Sequence, residues 1–161
     1  MTKLIIMCGV PGSGKSTWAK DFVTKNNAII VSRDEIRYSI LKEGEDYFSH
    51  ENEVTANFYS KINACLASGD YEYVIADATH NTAKARNSML DNINMENVEH
   101  IIPVNFNISI DQCIKQNRQR TGLARVPDHV IERMYRFHQD PTFHEKYKYK
   151  WIWNVAKEGD R

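Results

Sequence analysis

The sequence predicts an α/β fold, one parallel sheet of about five strands with helices on both faces. Short apolar, β-branched runs alternate along the chain with stretches of helical period, and the first run ends in a glycine-rich turn that opens a helix. The runs are continuously apolar, as strands covered on both faces must be. With 161 residues, 42% of them hydrophobic and 26% charged, the chain is long enough to bury one core. No linker, repeat or low-complexity segment divides it, so 1–161 reads as a single domain.

Residues 3–8 (KLIIMC) are the first buried run, and 16–25 has helical character with Trp18, Phe22 and Val23 on one side. Residues 28–31 are a second β-branched run, followed by Ser32-Arg33-Asp34-Glu35 and a helix carrying Ile36, Ile40 and Leu41. From 50 to 68, Val54, Phe58, Ile62, Cys65 and Leu66 recur at intervals of three and four, the pattern of a buried helix face, and Gly69 stops that helix. Residues 73–76 form a third strand, after which Asn81 is expected to cap a helix running through Arg86 and Leu90.

The fourth strand spans 101–106, and Pro103 predicts that it is exposed near that point. Ser109-Ile110-Asp111-Gln112 has capping-box spacing and opens a helix with Ile110, Cys113 and Ile114 inward. That helix runs into a basic segment, and Pro127 and Asp128 then start another with Ile131, Met134, Tyr135 and His138 on one face. The alternating YKYKWIW at 147–153 is expected to be the last strand. Its aromatics among lysines could also stack bases, but the pattern fits a closing strand with one packed face better.

Composition excludes several classes. The apolar run LIIM at 4–7 is too short for a signal peptide, and no window approaches the roughly 18 apolar residues of a membrane span. A cytoplasmic protein without membrane contact is expected. Cys8, Cys65 and Cys113 form no CxxC pair and read as reduced core thiols, and the six histidines lack metal-binding spacing, so no structural metal is expected. Net formal charge is zero but uneven. Between 34 and 53 seven acids face Arg37 and Lys42, whereas between 115 and 136 six bases face Asp128 and Glu132. The second half carries the positive field, which suits phosphate.

Gly9-Val10-Pro11-Gly12-Ser13-Gly14-Lys15-Ser16 fits the phosphate-binding pattern G-x4-G-K-[ST] without mismatch. Backbone amides converge on phosphate oxygens only where side chains leave room, and the following helix adds its positive end. Gly12, Ser13, Gly14, Lys15, Ser16 and Thr17 are the expected nucleotide contacts, with Lys15 reaching the β and γ phosphates and the Ser16 hydroxyl on Mg2+. An Asn-Lys-x-Asp guanine motif is absent and little chain remains for a motor, so a small kinase is favoured.

A kinase needs an acceptor site. Asp34, just beyond the second strand, and Arg37, three residues on, would share a helix face beside the loop. By itself Asp34 fits a helix cap equally well, with Arg37 in water. Asp77 ends the third strand in the same way and would hold Mg2+ through water, orient Arg37, or simply turn the chain. Arg118, Arg120 and Arg125 flank Thr121-Gly122 in a flexible segment at about 117–127 suited to a lid over the nucleotide.

Taken as a set, PGSGKSTW at 11–18, RDEIR at 33–37, DATHN at 77–81 and NRQRTGLARVP at 117–127 resemble the kinase domain of phage-type 5′-polynucleotide kinases, over about 3–137. The resemblance implies a P-loop kinase fold, ATP as phosphate donor with Mg2+, and a DNA or RNA 5′-hydroxyl end as acceptor. It implies that Asp34 is the general base and that Arg37 fixes the acceptor's phosphate. Arg120 would stabilise the transferring phosphoryl, with Arg118 and Arg125 as alternates that touch the nucleotide, and Asp77 would lie near the acceptor. His80 interrupts the family's Thr-Asn pairing and is expected to alter the acceptor pocket; the lid is one residue longer than usual, and no Asp-x-Asp-Gly-Thr phosphatase motif follows. Kinases for a nucleoside, another small metabolite or a modified base, and a regulator that hydrolyses ATP slowly, remain as alternatives.

Overall fold

In the computed structural model, which describes residues 1–156, five parallel strands lie in the order β2-β3-β1-β4-β5. They are β1 (Thr2–Cys8), β2 (Ala28–Ser32), β3 (Tyr73–Asp77), β4 (Val98–Phe106) and β5 (Trp153–Val155). Six helices connect and cover them: α1 (Lys15–Lys25), α2 (Arg33–Ile40), α3 (Glu51–Ser68), α4 (Ala83–Leu90), α5 (Ile110–Arg118) and α6 (Asp128–Phe137). β1 is the most completely buried strand and takes the centre, between β3 and β4. Its side chains alternate between two cores. Leu4, Ile6 and Cys8 pack under α3 and α4 with Phe58, Ile62 and Leu90, whereas Ile5 and Met7 pack on the other face with Ala19, Cys113 and Ile131. No helix among the described residues is long and apolar enough to cross a membrane.

The sheet runs one way from β1 to β2 by way of β3 and the other way to β4, so the crevice at the carboxyl end of β1 is a topological switch point. The phosphate loop, α2 and the 78–82 loop all open there.

Several local expectations are corrected. The cap of α4 is Thr82, whose hydroxyl accepts from Ala85 N at 3.1 Å; Asn81 instead donates to Met134 O at 2.7 Å and fastens α6. Leu41 lies just past α2, Cys65 is half-buried, and Tyr135 is 40% exposed, turned away from the face that buries Ile131. Pro103 is buried, not exposed. Its missing N–H faces the β5 side: Ile101, two residues earlier and so facing the same way, gives its carbonyl to Lys150 N at 3.0 Å. Strand pairing on that side can start only beyond the proline, at Val104 with Trp153. That is why the last strand is Trp153–Val155 and not 147–153. The preceding stretch buries Tyr149 in the core, and Trp153 packs near Trp18 and Phe22, at 6.5 and 6.2 Å between ring centres.

Candidate active site

The phosphate loop is built by glycine geometry. Gly12 has φ +85°, and a Cβ there would run into the Cys113 carbonyl oxygen of α5, so only glycine lets the loop lie against that helix. Gln116 of α5 completes the contact by donating to Gly12 O at 2.5 Å. Gly14, at φ +92°, precedes α1 and offers no side-chain cap. The first N–H groups of α1 therefore point into the crevice without a side-chain partner, which suits an oxyanion. The buried Ser13 hydroxyl likewise has no hydrogen-bond partner within the described chain. A cradle of two left-handed glycines, an uncapped helix start and an orphaned hydroxyl fits a nucleotide's phosphates.

Lys15 crosses the mouth of this loop, its Nζ donating to Gly9 O at 2.8 Å and Val10 O at 3.0 Å. Burial holds its ammonium below the usual lysine range, against the pull of Asp77. Burial also raises the Asp77 carboxyl, with Lys15 opposing and Asp34 adding repulsion. Ser16 and Thr17 are exposed on the first turn of α1.

Ser32 and Asp77 are register partners at the ends of β2 and β3, so the first turn of α2, with Asp34, starts next to Asp77. The cap of α2 is the Ser32 hydroxyl, which accepts from Glu35 N at 3.2 Å, and this frees Asp34 from that duty. Arg37 does not reach water. It is 4% exposed and bonds Asp34 Oδ1 at 2.5 Å, the Tyr47 hydroxyl at 2.8 Å and both oxygens of Glu51. Glu51 thus does the orienting that the sequence offered to Asp77. It also accepts from Arg33 at 2.7 Å. Burial would raise the Glu51 carboxyl, but the two arginines prevail and hold it below the usual range. Tyr47 lays its ring over Arg37, 4.3 Å from the guanidinium carbon, and donates to Asp34 Oδ1 at 2.8 Å.

In the 117–127 segment, the buried Asn117 side chain brackets Val126, donating to its carbonyl at 2.6 Å and accepting from its N–H at 3.1 Å. The three arginines between are placed differently. Arg118 is turned outward, bonded to Asp128 at 2.7 Å, and Arg125 is exposed. Arg120 donates to Ala124 O at 3.4 Å, and its charge acts on both Lys15 and Asp77.

His80 is buried, its ring centre 6.2 Å from that of Phe58. It has φ +41°, its Nδ1 is 2.9 Å from Met7 O, and its carbonyl accepts from Arg86 at 2.9 Å. Burial pushes its imidazole down to about 4. Thr79 O accepts from Gly9 N at 3.0 Å, so the DATHN loop braces the phosphate loop. Arg86, fully buried, pairs with Glu145 at 2.8 Å and anchors the segment that leads to β5; beside it, burial pushes the Cys8 thiol up to about 12.

Sequence reasoning missed Tyr47, Glu51 and Arg33. Glu51 opens α3 and Tyr47 lies in the segment between the two helices, so no period within a single element relates either to Arg37.

A family model described as an AAA domain matches residues 4–141. Among solved structures, a chain of the Pnkp1/Rnl/Hen1 RNA repair complex is 26% identical with a TM-score of 0.71, over 84% of this chain and 43% of that one. This chain therefore spans less than half of that relative's length. A fungal RNA kinase (13% identical, TM-score 0.64, covering 100% of this chain and 78% of that one) shares the fold. So does a sugar kinase from Janibacter sp. HTCC2649 (12%, TM-score 0.64, 98% and 85%). The chain belongs to the AAA domain family and has the P-loop kinase fold of these relatives, with its phosphate loop at the β1–α1 turn.

Proposed function

We propose that the chain is a polynucleotide 5′-hydroxyl kinase that moves the γ-phosphoryl group of ATP to the 5′-hydroxyl end of DNA or RNA. The observation that carries this reading is Asp34. Its carboxylate stands just past β2, beside Asp77 and within electrostatic reach of Lys15, with one oxygen fixed by Arg37. A carboxylate so held takes the proton of an alcohol while the alcohol oxygen bonds to phosphorus and the bond to ADP breaks. The loop amides and Lys15 hold the β and γ phosphates, and Arg120 balances charge on the transferring group, with Arg118 and Arg125 as nucleotide contacts when the lid closes. Ser16 is the side chain that would hold Mg2+, which when bound neutralises phosphate charge. The four motifs at 11–18, 33–37, 77–81 and 117–127, together with the likeness to the RNA repair chain, support a nucleic-acid acceptor.

A second reading, a kinase for a small hydroxyl compound, is favoured by one feature. Tyr47 brings the acidic stretch of Glu43, Glu45 and Asp46 to the acceptor side, where it repels a polyanion. The likeness to a sugar kinase bears on the fold alone.

The test offers labelled ATP and Mg2+ with oligonucleotides bearing a 5′-hydroxyl or a 5′-phosphate, and with free nucleosides. Label should appear only on the 5′-hydroxyl oligonucleotide. Label on nucleosides alone would overturn the polynucleotide reading, and phosphate release with no labelled acceptor would point to a regulatory ATPase.

A further inference from the structure

At Nη1, the nitrogen bonded to Asp34, Arg37 has no N–H to spare. Its Nε donates to Glu51 Oε1 at 3.0 Å and its Nη2 to both Glu51 oxygens, at 2.7 and 3.2 Å, while Nη1 serves Asp34 and Tyr47. A guanidinium carries five N–H groups, and the two oxygens of Glu51 share the N–H of Nη2 that lies beside Nε, whereas at Nη1, the nitrogen bonded to Asp34, both places are taken. One present partner has to leave. Glu51 and Asp34 are carboxylates, whose bonds to a guanidinium are roughly twice as strong as neutral ones. Tyr47 is the neutral partner. It lies in the 41–50 segment, which contains no helix or strand and turns through Gly44 at φ +81°.

The Tyr47 hydroxyl donates to Asp34 Oδ1 at 2.8 Å and accepts from Arg37 Nη1 at 2.8 Å. An alcohol about to be phosphorylated needs the first of these contacts, its proton aimed at the base. We propose that Tyr47 is a built-in stand-in for the acceptor, its phenol holding the place of the substrate hydroxyl between Asp34 and Arg37 until an acceptor displaces it. This rests on the reading of Asp34 and Arg37 as the acceptor site.

The consequence is selectivity. The ring of Tyr47 is also held, 4.3 Å from the Arg37 guanidinium carbon and 4.7 Å from the Phe48 ring centre, so removing the phenol costs more than one hydrogen bond. Water or an uncharged alcohol offers nothing to Arg37 beyond what the phenol already supplies. A hydroxyl carried next to a phosphate replaces both bonds and adds charge-assisted ones. Tyr47 thereby favours a nucleotide end over water and over a free nucleoside.

Tyr47→Phe keeps the ring over Arg37 and removes only the hydroxyl. Binding of a 5′-hydroxyl oligonucleotide without ATP, read by fluorescence anisotropy, should tighten at least about threefold, because the variant has no bonds to Asp34 and Arg37 to give up. Turnover at saturating acceptor should stay within about twofold, and acceptor-free ATP hydrolysis should rise. Unchanged or weaker binding, or a turnover loss of tenfold or more, overturns the proposal; Tyr47 would then orient Asp34. If the unaltered protein labels no oligonucleotide, the polynucleotide reading fails by itself. The stand-in is then judged on acceptor-free hydrolysis, where water takes the acceptor's place: a faster rate in the variant sustains it, and an equal or slower rate ends it.

Discussion

Glu51, the first residue of α3, grips the buried guanidinium of Arg37 with both carboxylate oxygens, at 2.7 and 3.2 Å from one nitrogen. A long helix thus meets a short one at the acceptor side of the crevice, and the charge on Arg37 is compensated only by what touches it. Glu51→Ala leaves that charge without its doubly bonded partner. The expected loss in urea unfolding is about 2–4 kcal/mol, toward the low end of what a broken buried pair costs, because Glu51 itself keeps partial contact with water. Glu51→Gln keeps one acceptor oxygen and should lose less stability than Glu51→Ala, yet transfer phosphate at least tenfold more slowly as Arg37 and Asp34 lose register. Transfer at the parental rate would show that Arg37 needs no such hold.

Asp34 is the residue on which the proposed chemistry depends. Asp34→Asn should slow transfer by a factor of 10²–10⁴, the usual contribution of a general base. Nucleotide affinity, measured by calorimetry, should stay within about threefold. Transfer persisting within tenfold would make Asp34 a structural partner of Arg37 and nothing more.

The two left-handed glycines of the phosphate loop should respond unequally to alanine. At Gly14 a Cβ would meet nothing within 4 Å, so the cost is conformational, about 1–2 kcal/mol. At Gly12 the same substitution also meets the backbone of α5, which cannot swing aside as a side chain can. Thermal unfolding without nucleotide should therefore rank Gly12→Ala well below Gly14→Ala, and equal midpoints would contradict the close approach of loop and helix.

His80 ties stability to pH. Burial keeps it neutral in the folded protein down to about 4, whereas in the unfolded chain it takes a proton near the ordinary histidine value. Between about pH 6.5 and 4 the unfolded chain binds the extra proton, so stability is complete above that window and falls as pH drops through it, by up to about 3 kcal/mol. His80→Asn removes the titration and tolerates the positive φ. Its unfolding free energy should fall less steeply over the same window, and parallel curves would assign the slope to other groups.

Arg86 and Glu145 make the most enclosed ion pair among the described residues, with side chains 0% and 6% exposed. Tyr149 adds a bond to Glu145 at 2.8 Å. Glu145→Ala strands a fully buried guanidinium and should cost about 3–5 kcal/mol. Because the pair fastens the segment before β5, trypsin should also cut sooner at Lys146, Lys148 and Lys150, detectable by mass spectrometry; an unchanged cleavage pattern would mean that the aromatic packing of Trp153 holds the segment alone.

What could be read from the residues in order was whatever closes over a short span. The strand, glycine loop and helix of 3–25 are legible because left-handed glycines and an open helix start are local properties, written within eight residues. The pairing of Asp34 with Arg37 is legible for the same reason, since three positions on a helix return to one face. Caps one residue apart are not: Asn81 and Thr82 have equally suitable side chains, and the choice fell to Thr82 because α6 claims Asn81 through Met134 O. The last strand was misplaced because its start depends on which edge of β4 the proline faces. His80 interrupts a motif in the sequence, yet its side chain is buried and held on the Met7 carbonyl of the neighbouring strand. By itself, then, the sequence determined the layered fold, the phosphate loop and the carboxylate beside it. Only the packing of α3 and the 41–50 segment against α2 decided that Arg37 is buried, gripped by Glu51 and covered by Tyr47, because a buried charge is settled by whichever distant groups the fold brings within hydrogen-bond reach.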